Sequence, residues 1–259
     1  TPEDIAAFIA VHRPLPGQGA LGGLDGVLGL QVERSRFAAD GTEAFAPYSR
    51  SGQQAAFLYE ELPTALGRLS LGARRESVRV ESLGNPLVGR FATGTRRFEP
   101  TSLALGLQRP VSPAWTLTAQ AAHGERAPRD YELFANGPHV ATGAWEVGNA
   151  SLGLERANQL ELGAQWKQGP HAARLAAYTT RFSNYIALQA TGASRTAASG
   201  DVLPEYAYQG VPARLQGLEA SGTRRLSEAA GTWDLEWRAD LVRGDNLATG
   251  EPLPRIAPL

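Results

Sequence analysis

The 259-residue chain contains no cysteine and no methionine, and Lys167 is its only lysine. Without cysteine there is no disulfide framework, no thiolate metal site and no thiol nucleophile. Without methionine there is no initiator residue, so the sequence reads as a processed chain or as a piece of a longer one. Arginine supplies nearly all of the positive charge, and 25 basic against 26 acidic side chains leave a formal charge of -1. That balance, with no clustered basic run, excludes a nucleic-acid partner, because neutralising phosphates takes a basic surface. No GxSxG or HExxH occurs, and no nucleophile, base and orienting group recur at useful spacing, so an enzyme is not expected. No apolar run approaches the roughly 18 residues of a transmembrane helix. A membrane is not thereby excluded, since a transmembrane strand needs only about 9 to 11 alternating residues and leaves little trace in mean hydropathy.

Alternation is what the chain has in abundance. Trp233, Leu235, Trp237, Ala239 and Leu241 fall on one parity, and Thr232, Asp234, Glu236, Arg238 and Asp240 on the other. An extended strand puts the first set on one face, whereas a helix scatters both. Leu160, Leu162, Ala164 and Trp166 repeat the pattern, as do Trp115, Leu117, Ala119 and Ala121, and more weakly Leu103, Leu105 and Leu107. Further strands are expected over 27–36, 53–61, 66–81, 172–188 and 215–226. The fold class is therefore all-β, with roughly nine or ten strands and no interior helix.

The connections alternate too. Long links are expected over 36–51, 82–97, 126–157, 192–210 and from Asp245, and short ones over 62–65, 109–114, 168–171 and 227–231. Long loops on one side and short turns on the other are what outer-membrane barrels show. Trp115, Trp166, Tyr59 and Tyr185 near strand ends suit their aromatic girdles. A barrel in hydrocarbon must close, because an unpaired edge costs several kcal/mol per group. Another strand pattern begins at 252–259, so residues 1–259 read as part of a larger transmembrane antiparallel barrel. The alternatives are a passive porin-like barrel and a soluble β-sandwich that binds a glycan or protein.

At the start, loop parity favours a strand ending near Pro14 and a glycine-rich turn over 17–26. That turn holds a literal GxGxxG at Gly17, Gly19 and Gly22, but a dinucleotide site needs a helix after it, and here a strand pattern follows. The sequon Asn149–Ser151 and the triplet Arg243, Gly244, Asp245 carry no functional reading.

The 24 residues from Arg126 to Asn149 read neither as strand nor as ordinary linker, and a loop of that length asks for a functional reason. Here the sequence resembles TonB-dependent outer-membrane receptors, in particular the branch that includes zinc-uptake receptors of Gram-negative bacteria. An ERxP-like run is matched by Glu125, Arg126, Ala127 and Pro128. EL(F/Y)AxGxHxAT is matched by Glu132, Leu133, Phe134, Ala135, Gly137, His139, Ala141 and Thr142, and (F/Y/W)E(V/I)GN by Trp145, Glu146, Val147, Gly148 and Asn149. LxxExxNxxELG follows at Leu152, Glu155, Asn158, Glu161, Leu162 and Gly163. Arg181 to Ile186 are similar to RFxNYI, and Glu43, Ala44, Phe45 and Pro47 to EAFxP.

The resemblance implies a plug folded inside a barrel of about 22 strands, of which this chain carries under half and no plug. It implies import of a scarce metal, zinc favoured, or of a metal chelate across the outer membrane, driven through the plug by TonB, ExbB and ExbD. Siderophores and other nutrients are the alternative cargo; zinc or a chelate would be transported, not held as a cofactor. The partners implied are the cargo and outer-membrane lipid. Glu132, Asn136, His139 and Glu146 are the candidate ligand-binding loop, with His139 and Glu132 as metal ligands, since neutral imidazole and carboxylate complete zinc sites. Some zinc receptors of the family carry a second histidine three residues before His139, where Asn136 stands here. The competing reading is that Glu132 and His139 tie the loop down. His12, His123 and His171 are expected at a strand end, on the lipid-facing parity and in a short turn. Glu161, Glu219, Glu236 and Asp240, with Arg174, Arg225 and Arg238, are expected as a solvated, paired inner wall.

Overall fold

The structure, a computed structural model, describes residues 3–12, 25–227, 231–254 and 256. In chain order the strands are β1 (Glu3–His12), β2 (Asp25–Phe37), β3 (Tyr48–Thr64), β4 (Gly67–Gly84), β5 (Gly94–Phe98), β6 (Thr101–Pro110) and β7 (Trp115–Arg126). After a one-turn helix α1 (Asp130–Phe134) come β8 (Asn136–His139), β9 (Ala144–Val147), β10 (Glu155–Gln168), β11 (His171–Thr196), β12 (Val202–Ser227) and β13 (Trp233–Asn246). Setting aside β5, β8 and β9, the other ten form one antiparallel meander in chain order from β1 to β13. A single continuous layer is not a sandwich, which needs two packed sheets. The chain is part of an all-β barrel wall.

The loop alternation holds for most connections. β3 and β4 are joined by residues 65–66, β6 and β7 by 111–114, and β10 and β11 by 169–170. On the other side run 38–47, 85–100 and 127–154. The exception is the long link expected over 192–210, which is strand almost throughout: β11 runs to Thr196, β12 starts at Val202, and each has 26 residues. At about 3.3 Å per residue each extends roughly 85 Å, several times the apolar band of about 25 Å. The upper half of this hairpin therefore projects beyond the bilayer, where water meets both faces and alternation disappears. β1 bears out the strand expected near the N-terminus, whereas Gly17, Gly19 and Gly22 and the side chain of His12 lie outside the described residues.

The two faces differ as the parity requires. Leu28, Leu30, Leu71, Leu103, Leu105, Leu117, Leu160, Leu162, Leu175, Leu218, Trp237 and Leu241 share one face and are 43% to 60% exposed. A continuous apolar surface of this kind calls for lipid rather than water. The opposite face pairs Arg174 with Glu161 at 3.3 Å and Arg225 with Asp234 at 2.6 Å, and places Glu219 opposite Asp240. Glu236 and Arg238 lie on that face opposite Thr223 and Ser221. Of the four girdle candidates, Trp115 and Trp166 face each other on the lipid side at the short-turn end. Tyr59 is instead on the inner face, donating to Glu61, and Tyr185 follows a bulge after Phe182 that turns it onto the Phe182 ring, 5.0 Å away. His123 is on the lipid face beside Asn158 at 2.9 Å, and His171 at the short-turn end accepts the Arg225 N–H at 3.2 Å.

The main apolar core is at the long-loop end. Val78, Val80 and Phe98 of the wall pack with Leu133 and Phe134 of α1, Leu152, Ile186, Leu188 and Tyr208. These wall positions point to the inner face, so the segment after β7 folds inward across it.

Candidate functional site

Residues 126–149 are built into the mouth of the wall by three polar networks. The first centres on Arg126 at the end of β7. Its guanidinium donates to both Glu132 oxygens at 2.8 and 3.2 Å and to both Glu155 oxygens at 3.1 and 2.9 Å. Glu132 also accepts the Arg129 N–H at 2.7 Å, which closes the N-terminal end of α1, and Glu155 accepts the Ile186 N–H at 3.0 Å. One arginine thus ties together β7, α1, β10 and β11. Burial works against its charge, but the hydrogen bonds to Glu155 and Glu132 overcome this and raise its pKa.

The second network centres on Arg90, which composition and parity gave no reason to single out. It donates to three main-chain carbonyls, Asn136 at 2.5 Å, Ala44 at 2.5 Å and Thr42 at 3.1 Å, and its guanidinium lies 5.3 Å from the Trp145 ring. Asn136 returns a bond to the Arg90 carbonyl at 3.2 Å and accepts the Trp145 indole N–H at 3.0 Å. The backbone is pressed close here. A Cβ at Gly137 would stand 2.4 Å from the Ala44 carbonyl, and one at Gly148 2.5 Å from the Phe134 nitrogen. These contacts explain why a turn-rich stretch folds as a small hairpin, β8 with β9, that adds itself in parallel to β12 through Glu205 to Ala207.

The third network holds Glu146, which is 1% exposed. Its carboxylate accepts from Thr142 at 3.0 Å and Tyr208 at 2.9 Å and contacts His139 Nδ1 at 2.9 Å. Burial pushes the Glu146 carboxyl up, and the bonds from His139, Tyr208 and Thr142 more than offset it, leaving it below the ordinary 4.5. An ionised Glu146 makes Nδ1 the donor, and in the neutral tautomer that this selects the lone pair is on Nε2. The Phe45 ring stacks on the imidazole at 4.3 Å and 9°. The sign of the shift sets a pH response. A carboxylate with a lowered folded pKa stabilises above its unfolded value and loses that contribution as pH falls through the folded one. Amide protection across 139–147 in the full-length receptor, corrected for the intrinsic exchange rate at each pH, is therefore expected to stay high at pH 6 and to fall below about pH 4.5, with Glu146→Gln removing most of that step.

The four loop residues of the sequence reading are thus distributed over three networks. Glu132 belongs to Arg126, Asn136 to Arg90 and Trp145, and His139 with Glu146 to Tyr208 and Phe45; among the described residues Glu132 and His139 share no hydrogen-bond partner. Among the described residues no group of three or more His, Asp and Glu side chains is arranged to hold a metal ion. Below α1 a recess of about 460 Å³ opens on the inner face, lined by Glu33, Gln53, Glu76, Arg126 and Asp130 among others.

The ERxP-like, ELFANGPH and WEVGN runs build these three networks, Phe45 of the EAFxP run stacks on His139, and the sequence model described as TonB dependent receptor-like, beta-barrel, matches residues 15–259. The chain belongs to the TonB-dependent receptor β-barrel family. Solved structures of similar fold include the copper transporter OprC, at 20% identity and a TM-score of 0.72, covering 99% of this chain and 39% of that one. The alcaligin outer-membrane receptor FauA of Bordetella pertussis matches at 15% identity and a TM-score of 0.60, covering 97% and 40%. The FrpB iron transporter of Neisseria meningitidis matches at 12% identity and 0.60, covering 95% and 36%. The chain therefore spans about two fifths of the length of these receptors. Among the residues that parity missed, Phe45 and Asn184 carried a signal through the EAFxP and RFxNYI runs; Asn184 donates to the Leu154 carbonyl at 2.7 Å.

Proposed function

We propose that the receptor of which this chain is a part lies in the outer membrane of a Gram-negative bacterium and imports a scarce metal ion, zinc favoured, or a metal chelate. It acts as a transporter rather than an enzyme. Energy reaches it from TonB, ExbB and ExbD through a plug that this chain does not include. Family membership carries the reading; structural neighbours named as a copper transporter, an alcaligin receptor and an iron transporter support a metal or chelate as cargo.

Within the chain His139 is the residue we place nearest the cargo. Metal-binding histidines characteristically have their other ring nitrogen held by a carboxylate, which is what Glu146 does, and the His139 side chain stays 30% exposed. A single imidazole is an incomplete site, so the remaining ligands come from the chelate or from parts of the receptor outside this chain. Glu132, engaged on both oxygens by Arg126, serves as the anchor of the loop and not as a metal ligand. Asn136 and Glu146 complete the ligand-binding loop by holding its shape.

Growth of a deletion strain complemented with the full-length receptor tests both points. The expected result is slow growth of the deletion under zinc starvation, and at least a several-fold lower rate of zinc uptake for His139→Ala with normal surface expression. A growth defect confined to iron starvation with siderophores rules out the zinc preference. Full zinc uptake by His139→Ala rules out the ligand assignment.

A further inference from the structure

Three pairs of arginines face each other directly across neighbouring strands: Arg36 and Arg50, Arg79 and Arg97, Arg181 and Arg214. All six are exposed. All six lie on the lipid face, because alternation keeps Arg36 in line with Leu28 and Leu30, Arg79 with Leu71, and Arg181 with Leu175. On β2 the apolar positions end at Val32, and on β11 at Ala177, each four residues before the arginine. Four residues are about 13 Å along a tilted strand, which takes the guanidinium groups out of the hydrocarbon and into the polar zone on the long-loop side.

Like charges placed directly opposite weaken a sheet, and here the arrangement recurs three times along the wall. Carboxylates offset part of it: Glu81 lies directly opposite Arg50 and 3.5 Å from Arg79, and Asp245 lies directly opposite Arg214 at 3.4 Å. A chain with a formal charge of -1 has no general excess of cations to distribute, so the pairs are a local concentration. Two guanidinium forks on adjacent strands present the planar, permanently charged donors that bind phosphate bidentately.

We propose that these pairs bind the phosphate groups of an outer-leaflet glycolipid whose acyl chains lie on the leucine face directly below. Continuity between the apolar surface and the cationic level selects a lipid over a soluble polyanion, since one molecule with a phosphorylated headgroup and acyl chains satisfies both. The inference rests on the outer-membrane placement proposed above.

The test uses the full-length receptor in non-ionic detergent, titrated with diphosphoryl lipid A and with the same lipid stripped of phosphate. Thermal unfolding and lipid retention by native mass spectrometry are the readouts. The phosphorylated lipid is expected to remain bound and to raise the unfolding temperature, and the stripped lipid to do neither. The double variant Arg181→Gln/Arg214→Gln should bind the phosphorylated lipid about tenfold more weakly, yet keep the heat-dependent gel mobility of the parent, because Asp245 retains Arg243 at 3.0 Å when Arg214 is replaced. Arg174→Gln on the inner face should leave lipid binding unchanged. Equal binding of the two lipids, or parental affinity in the double variant, overturns the proposal, as does a response to a soluble polyphosphate alone. If the protein lacks the heat-dependent gel mobility of a folded barrel, the membrane reading itself has failed; a folded barrel indifferent to the phosphates sinks only the lipid site.

Discussion

Replacing Arg126 with alanine in the full-length receptor is expected to release the segment from Pro128 to Gly148 while the barrel stays closed. The substitution leaves Glu132, 8% exposed in its side chain, and Glu155, 15% exposed, without their common cation. Removing one partner of a buried ion pair costs about 3 to 5 kcal/mol. Arg126 is itself 37% exposed, so water compensates part of the loss and the lower end of that range, about 3 kcal/mol, is the expected value. The cost falls on α1 and the β8–β9 hairpin, because the strands keep their ladders without Arg126. Limited proteolysis should then cut within 127–149 while the heat-dependent gel mobility of the barrel persists. Protection equal to that of the parent would show that the apolar packing of Leu133 and Phe134 alone holds the loop.

A charge on the lipid face is the second large effect. Leu162 is 57% exposed and lies opposite Ala119 and Ala177 in the middle of the apolar level of β10. An arginine near the bilayer midplane of an outer-membrane barrel costs about 2 to 4 kcal/mol. Leu162→Arg should lower the urea midpoint of the receptor in liposomes accordingly. Gln159→Arg, three residues earlier and on the inner face, should shift it by well under 1 kcal/mol, a surface-substitution effect. A soluble sheet would respond in neither position by that difference.

What could be read in the sequence follows from which surfaces face lipid. Leu160, Leu162 and Trp166 alternate because one side of β10 meets hydrocarbon and the other water, so strand, face and parity were all legible. Above the bilayer that contrast ends. Thr191, Ser194 and Thr196 of β11 and Val202 to Glu205 of β12 meet water or loops on both sides, and the continuation of the hairpin left no periodic trace. Tyr59 shows the limit of composition: an aromatic near a strand end suits a girdle, but register with Val27 and Gly72 puts it on the inner face.

For the candidate site, motif resemblance located the loop but did not assign its bonds. Glu132 and His139 are seven residues apart, yet they belong to different networks, Glu132 to the Arg126 guanidinium and His139 to the Glu146 carboxylate. Arg90 left no signal because its partners are main-chain carbonyls, which any residue supplies. Glu146 was named as part of the loop; its burial under Tyr208, 62 positions away, depends on β12 rising beyond the membrane.

The membrane-spanning alternation is the claim on which the rest depends, and one measurement tests it most directly. Single cysteines introduced at successive positions from Asn158 to Trp166 of the full-length receptor, in a cysteine-free background, are spin-labelled and examined in liposomes. Relaxation by oxygen, which concentrates in hydrocarbon, should be high at Leu160, Leu162 and Ala164, and relaxation by a water-soluble nickel chelate high at Gln159, Glu161 and Gln165, with a period of two. Uniform accessibility to the nickel chelate along the strand, or an alternation of the opposite phase, would contradict the barrel wall described here.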